Sequence, residues 1–276
     1  MKHFLNKLFV FILLIPLAYE IKPIYLLISE KYKEIIPGRE IYLSLKKSKQ
    51  KNKSKKLLIG DSVGNQLFNN ETNNDTINSL ACNQAISMAG HYILLNNYIN
   101  AGNTIDTLYM IFTPFFFKNN LDQVYTYHYF LKPFFNNTYK KEMTATVINQ
   151  INKVPYKFLI NEPSVLTSAW APDFTSEDTI NYTFLSPISV EYLGKIKALS
   201  EHYHFKIILL PTPICVKTEN WVKAFNKKEI TKNGFESLFD GYFEKIIYLD
   251  ESFFCDRTHL KNSDIFTKVY KAKWVK

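Results

Sequence analysis

Ser62, Asp256 and His259 are the residues of this chain whose types and spacing point to joint chemistry. Gly60-Asp61-Ser62 follows directly on the apolar run Leu57-Leu58-Ile59, and Asp256-Arg257-Thr258-His259 closes the last strand-like segment. A serine hydroxyl is a weak nucleophile at neutral pH until a histidine accepts its proton. The histidine in turn needs a carboxylate to fix its tautomer and support its positive charge. Gly60 permits a tight strand-to-helix turn that stands the Ser62 hydroxyl at the carboxyl edge of a sheet. The expected chemistry is acyl transfer with Ser62 as nucleophile, His259 as base and Asp256 as its partner. The plain alternative is a turn at Ser62 and a surface helix start near His259.

The elements around these residues are those of an α/β fold. Short apolar runs at Lys56 to Gly60, Thr76 to Cys82, Thr107 to Phe112, Phe205 to Leu210 and Lys245 to Leu249 read as five strands. Helical stretches separate them: Val63 to Phe68, Ala85 to Ile99 with Gly102 as a stop, Asn137 to Asn152, and Ser189 to His202. Ser186-Pro187 supplies a cap and first-turn residue for the last of these. Glu219 to Asp240 and Asn262 to Tyr270 complete the set. Strands alternating with helices predict a three-layer α/β/α arrangement around a five-stranded parallel sheet with right-handed crossovers. Ligands of such sheets sit beyond the carboxyl ends of the strands, where both Ser62 and the Asp256–His259 segment fall.

Gly60-Asp61-Ser62-Val63-Gly64-Asn65 after the first strand, and Asp256-x-x-His259-Leu260 near the end, resemble the first and last blocks of the SGNH (GDSL-type) hydrolase and acyltransferase superfamily. The resemblance covers residues 57 to about 272. It implies a flavodoxin-like sheet, a Ser62–His259–Asp256 triad, no cofactor, and an ester of a carbohydrate or lipid-like alcohol as substrate. The family places a Gly after strand two and a Gly-x-Asn after strand three, both donating to the oxyanion together with the serine N–H. Here the corresponding stretches are Ala81-Cys82-Asn83-Gln84-Ala85 and Phe112-Thr113-Pro114 to Asn119-Asn120, so the middle blocks diverge. The resemblance then implies the backbone N–H groups of Ser62 and Gln84, and the Asn119 or Asn120 amide, as oxyanion donors. Pro114 has no N–H to give.

Residues 113–204, between strands three and four, are far longer than a single-helix crossover. They hold Phe115 to Phe117, Tyr125 to Phe130, Phe134-Phe135 and Trp170. As a cap these would line an acyl channel or stack on sugar rings, with Phe115 and Trp170 as substrate-binding candidates. Equally, the insertion can fold a small core of its own. His128 reads as a core or surface histidine.

The net charge of +9 invites a nucleic-acid reading, but seven lysines lie between Lys46 and Lys56, which leaves 9 − 7 = +2 for the rest. One run is not a basic face, so no nucleic-acid partner is expected. The apolar stretch that begins near Phe4 predicts an uncleaved signal-anchor, a transmembrane helix within residues 1–28. Residues 29–56 then form a Lys-rich linker and 57–276 the SGNH-like domain. Three cysteines, Cys82, Cys215 and Cys255, lack metal spacing. They read as small buried residues, a Cys215–Cys255 bridge being the alternative. No phosphate loop, zinc or calcium pattern occurs. The resulting expectation is a membrane-anchored, extracytoplasmic esterase or O-acyltransferase acting on acylated carbohydrate or a cell-envelope polymer. A cytosol-facing lipase or thioesterase, or a non-catalytic binding protein, are the alternatives.

Overall fold

Leu57-Leu58-Ile59 places three apolar side chains in succession, and only a strand covered on both faces hides all of them. In the structure, a computed structural model describing residues 2–20, 38–71, 76–122, 126–154, 184–256 and 258–275, this run is the core of β1 (Lys56–Gly60). β1 pairs with β2 (Asn78–Ser79) on one side and β3 (Thr107–Phe112) on the other. β4 (Lys206–Pro211) adds to β3, giving a four-stranded, wholly parallel sheet in the order β2-β1-β3-β4. β1 and β3 have the bounds read from the sequence.

Alternation along the strands divides the core in two. Leu57 and Ile59 join Leu108, Met110, Phe112 and Leu209 in one apolar cluster. Leu58 joins Tyr109, Ile111 and Leu210 in the other. Each fully buried side chain of this size contributes about 1.5–3 kcal/mol. The principal helices are α1 (Lys2–Glu20), α2 (Arg39–Ser48), α3 (Ser62–Leu67), α4 (Ser87–Asn100), α5 (Ala145–Lys153), α6 (Pro187–Tyr203) and α7 (Ser263–Lys273). Ile41 of α2, Ile93 of α4 and Tyr192 of α6 belong to the first cluster, whereas Val63 of α3 and Phe266 of α7 belong to the second. Helices therefore cover both faces. The Ser186 hydroxyl accepts from the Ser189 N–H at 3.1 Å, so the Ser-Pro pair opens α6 as its sequence predicts.

The fifth strand departs from expectation. β5 (Ile214–Cys215) and β6 (Tyr248–Leu249) form a separate two-stranded parallel sheet, so among the described residues six strands in two sheets stand where five in one were expected. Pro211 and Pro213 have no N–H, and the ladder along β4 ends with Thr212 donating to Phe112 O at 3.2 Å. It resumes with Ile214 donating to Ile247 O at 3.0 Å, and β6 pairs there.

The amino-terminal part also differs. Part of the expected linker is folded, because α2 buries Ile41, Ser44 and Ser48, and Lys47 Nζ donates to Asn70 O at 2.8 Å. Among the described residues no helix is long and apolar enough to cross a membrane, so the expected transmembrane helix is not supported. Residues 21–28 of that segment lie outside the described residues. On α1, Phe4, Leu5, Leu8, Phe9, Val10, Phe11, Ile12 and Leu14 are exposed. All three cysteines are free thiols, Cys82 and Cys215 buried and Cys255 exposed.

Among the described residues, the aromatic side chains of the insertion are largely interior. Phe116, Phe117, Tyr127, Phe130 and Phe134 join the first cluster, with Phe112 stacked on Phe116 at a ring separation of 4.1 Å. Trp170 lies outside the described residues. His91 of α4 is fully buried with its ring edge-on to Phe112 and Phe116, and neither ring nitrogen has a hydrogen-bond partner. Burial holds its pKa down to about 3. Its folded pKa lies below the unfolded value, so the unfolded chain takes up the proton first as pH falls. His91 thus subtracts stability below about pH 6.5, progressively until about pH 3. Replacing His91 by Phe should flatten the fall in urea-unfolding free energy across that window by a few kcal/mol. An unchanged pH slope in His91→Phe would contradict the assignment.

Candidate active site

At the end of β1 the chain must reverse into a helix within two residues, and Gly60 and Gly64 make room for it. A Cβ on Gly60 would stand 2.5 Å from the Ile111 carbonyl oxygen of β3, and one on Gly64 2.7 Å from the same atom. The turn is braced by Asp61, which caps α3. Its Oδ1 accepts from the N–H groups of Val63 at 3.1 Å and Gly64 at 3.0 Å, and its Oδ2 from the Thr113 N–H at 2.5 Å. Burial pushes the Asp61 carboxyl up, against the pull of the Gly64, Thr113 and Val63 donors. Ser62, the next residue, is the first of α3, so its N–H has no acceptor within the helix.

His259 arrives on a loop that shapes itself. An antiparallel bridge between Phe254 and Leu260 closes it, with Cys255 N donating to His259 O at 2.8 Å and Lys261 N to Phe253 O at 2.9 Å. Inside the loop, Asp256 Oδ1 accepts from the backbone N–H groups of Thr258 and His259, each at 2.7 Å. Its Oδ2 lies 2.7 Å from His259 Nδ1. Partial burial raises the Asp256 pKa, but the His259 backbone N–H, the His259 ring and the Thr258 N–H together bring it down to about 2. Asp-x-x-His spacing therefore lets one carboxylate set both the loop and the imidazole.

Across 197 positions of sequence, His259 Nε2 meets Ser62 Oγ at 2.9 Å. With Nδ1–H directed at the carboxylate, Nε2 presents its lone pair to the serine hydroxyl. Ser62, Asp256 and His259 thus come together as the sequence predicts. The side chains of His259 and Asp256 are 39% and 57% exposed, which leaves both open to solvent.

The oxyanion candidates are distributed differently. Extending the Leu58↔Ser79 and Gly60↔Ile111 registers sets Ser62 level with Asn83 and Thr113. Gln84 opens a 3₁₀ turn, and its first-turn N–H lacks an acceptor within that turn, as does that of Ser62 within α3. Asn119 does not offer its amide to this space: its Nδ2 donates to Gln84 O at 2.6 Å and its Oδ1 accepts from Leu121 N at 2.9 Å. With Asn83 Oδ1 accepting from Ala85 N at 2.9 Å, both ends of the Gln84–Ala85 peptide are held. Asn120 is buried, its Oδ1 3.5 Å from Ile188 N and its carbonyl accepting from Gln150. Asn119 thus supports the Gln84 loop, and these contacts of Asn120 run to Ile188 of α6 and Gln150 of α5.

Phe115 is half-buried at that exit, edge-on to Phe225 at 5.5 Å and to Trp221 at 6.3 Å between ring centres. Trp221 is 60% exposed and was not singled out by sequence, since it lies within a stretch read only as helical. His128 is buried, with a pKa lowered to about 4 by burial and by Lys132. No cluster of His, Cys, Asp and Glu among the described residues is arranged to hold a metal ion. No family model, curated protein or solved structure matches this chain.

Because Ile111 O sits against the turn that carries Ser62, Gly64→Ala should force α3 away from β3. The expected cost is about 1–3 kcal/mol by thermal or urea unfolding, and Ser62 should move out of hydrogen-bonding reach of His259. A variant as stable as the wild type would show that the close approach does not constrain the turn.

Proposed function

We propose that this chain is an SGNH-like serine esterase or O-acyltransferase acting on acylated carbohydrate or a cell-envelope polymer. The observation that carries the reading is the continuous relay from Ser62 Oγ to His259 Nε2 at 2.9 Å and from His259 Nδ1 to Asp256 Oδ2 at 2.7 Å. The strand order β2-β1-β3-β4 and the position of Ser62 at the carboxyl end of β1 agree with the flavodoxin-like sheet of that superfamily.

Ser62 Oγ attacks the acyl carbonyl carbon while its proton passes to His259 Nε2. The oxyanion so formed is met by the Ser62 and Gln84 N–H groups. His259 then returns the proton to the departing alcohol oxygen as the C–O bond breaks, leaving an acyl group on Ser62. Water or a sugar hydroxyl attacks this ester, gives its proton to His259, and releases the acid or the new ester as Ser62 regains its hydrogen. Asp256 stays ionised throughout, consistent with its depressed pKa. The exposed face of Trp221, beside Phe115, suits the apolar side of a sugar ring.

Membrane attachment through the amino-terminal segment, with the domain on the extracytoplasmic side, belongs to the same proposal. Its support is the row of exposed apolar side chains on α1. Protease digestion of intact cells should remove the domain, and full protection would reverse the orientation. A non-catalytic binding role is the second reading, favoured by the engagement of the Asn119 amide with Gln84.

The test is turnover of p-nitrophenyl acetate and of acetylated oligosaccharide by the full chain. Ser62→Ala should abolish it, and Asp256→Asn should lower kcat by about 10³–10⁴-fold with KM little changed. Since the Asp256 pKa is about 2, protonation of Asp256 itself should add nothing to the pH dependence of wild-type turnover between about pH 5 and 8. Turnover that survives Ser62→Ala would contradict the proposal.

A further inference from the structure

Gln66 lies four residues after Ser62, one helical turn along α3 and on the same side. Its side-chain amide meets the backbone of Leu260, the residue after His259, at two points. Nε2 donates to Leu260 O at 3.2 Å, and Oε1 accepts from Leu260 N at 3.0 Å. A single planar group thus satisfies both the donor and the acceptor of one residue, as a neighbouring strand would. We propose that Gln66 is a positioning residue that sets the separation of Ser62 and His259 by clamping the base loop to the nucleophile helix. The proposal rests on the esterase or acyltransferase reading and adds to it the part that holds nucleophile and base in register.

The hydrogen bonding around the loop supports this role. The bonds that shape the base loop's backbone are local: Asp256 to Thr258 and His259, Cys255 to His259, and Lys261 to Phe253. Those bonds fix the shape of the loop but not its distance from α3. Leu260 is 2% exposed, so its backbone groups need partners; Gln66 meets both, and the Cys255 thiol of the same loop adds only a weak 3.8 Å contact to Leu260 O. Behind the clamp, the Thr267 hydroxyl of α7 donates to Leu67 O at 2.7 Å, tying the following helix to the same end of α3. A displacement of about 1 Å between reacting groups costs on the order of 10²-fold in rate. A clamp one residue from the base and one turn from the nucleophile acts on that distance directly. Other side chains do not replace it. Glutamate at neutral pH keeps the acceptor for Leu260 N–H and loses the donor, while leucine keeps neither.

The test is the rate of covalent labelling of the full chain by a fluorophosphonate, analysed as a maximal rate constant, an apparent affinity and a final stoichiometry. Gln66→Leu should lower the maximal rate constant by about ten- to a hundredfold, with affinity and stoichiometry near wild type. Gln66→Glu should fall between the two. A purely structural role would instead lower the stoichiometry and leave the rate constant of the surviving fraction unchanged. If wild type is labelled at Ser62 and Gln66→Leu reacts within about twofold of its rate, the clamp is overturned while the functional reading stands. If wild type is not labelled, the functional reading falls and the clamp falls with it. Should Gln66→Leu not fold, Gln66→Glu decides, and a wild-type rate in that variant overturns the proposal.

Discussion

A carboxylate that is 1% exposed is tolerated only where donors surround it, and Asp61 is such a group. Two of its donors belong to the turn that carries Ser62, and the third, the Thr113 N–H, belongs to the exit of β3. The same carboxylate therefore ends β1, starts α3 and joins the two central strands at their carboxyl edge. Gly60 and Gly64 are consequences of this constraint, because the turn can reach Asp61's partners only by pressing against the Ile111 carbonyl. Ser62 stands where it does because its neighbour is fixed on three sides.

The Asp256–His259 pair is built on a different logic. Asp256 and His259 are three residues apart, and their mutual geometry follows from a loop that closes on itself through Phe254 and Leu260. Such a unit is correct in itself wherever it is placed. Its placement depends on long-range packing: α7 against α3, with Phe266, Tyr270, Val63 and Leu67 in one apolar cluster. Ser62 is thus fixed by the sheet and His259 by helix packing together with the Gln66–Leu260 bonds, and the two side chains meet where these supports meet.

What the sequence disclosed follows the range of the interactions. β1 and β3 were legible because buried parallel strands are unbroken apolar runs, and α6 because Ser186-Pro187 is a local capping signal. The meeting of Ser62, His259 and Asp256 was legible because each half is a short pattern of residue types. The split of the fifth strand was not, although Pro211 and Pro213 are plainly there, since where a ladder resumes depends on the partner strand. Asn119 was assigned to the oxyanion from its place after β3, but its amide turns to the Gln84 carbonyl, a hydrogen bond across 35 positions. The folded state of α2 was hidden by its lysines, of which Lys46 is exposed while Lys47 reaches across to Asn70 O, on a helix whose inner side holds Ile41 and Ser44. Asp61 could have been found, for an Asp two residues before the helical Val63 is an N-cap by composition alone.

The central claim is that Ser62 is a nucleophile activated by His259 and Asp256. The most direct measurement is peptide mass mapping of the full chain after reaction with a fluorophosphonate at neutral pH. The account predicts one phosphonyl group per chain, on the peptide that contains Ser62, and none when His259 is replaced by Ala. An unmodified Ser62 peptide, or equal modification of Ser62 in His259→Ala, would contradict it.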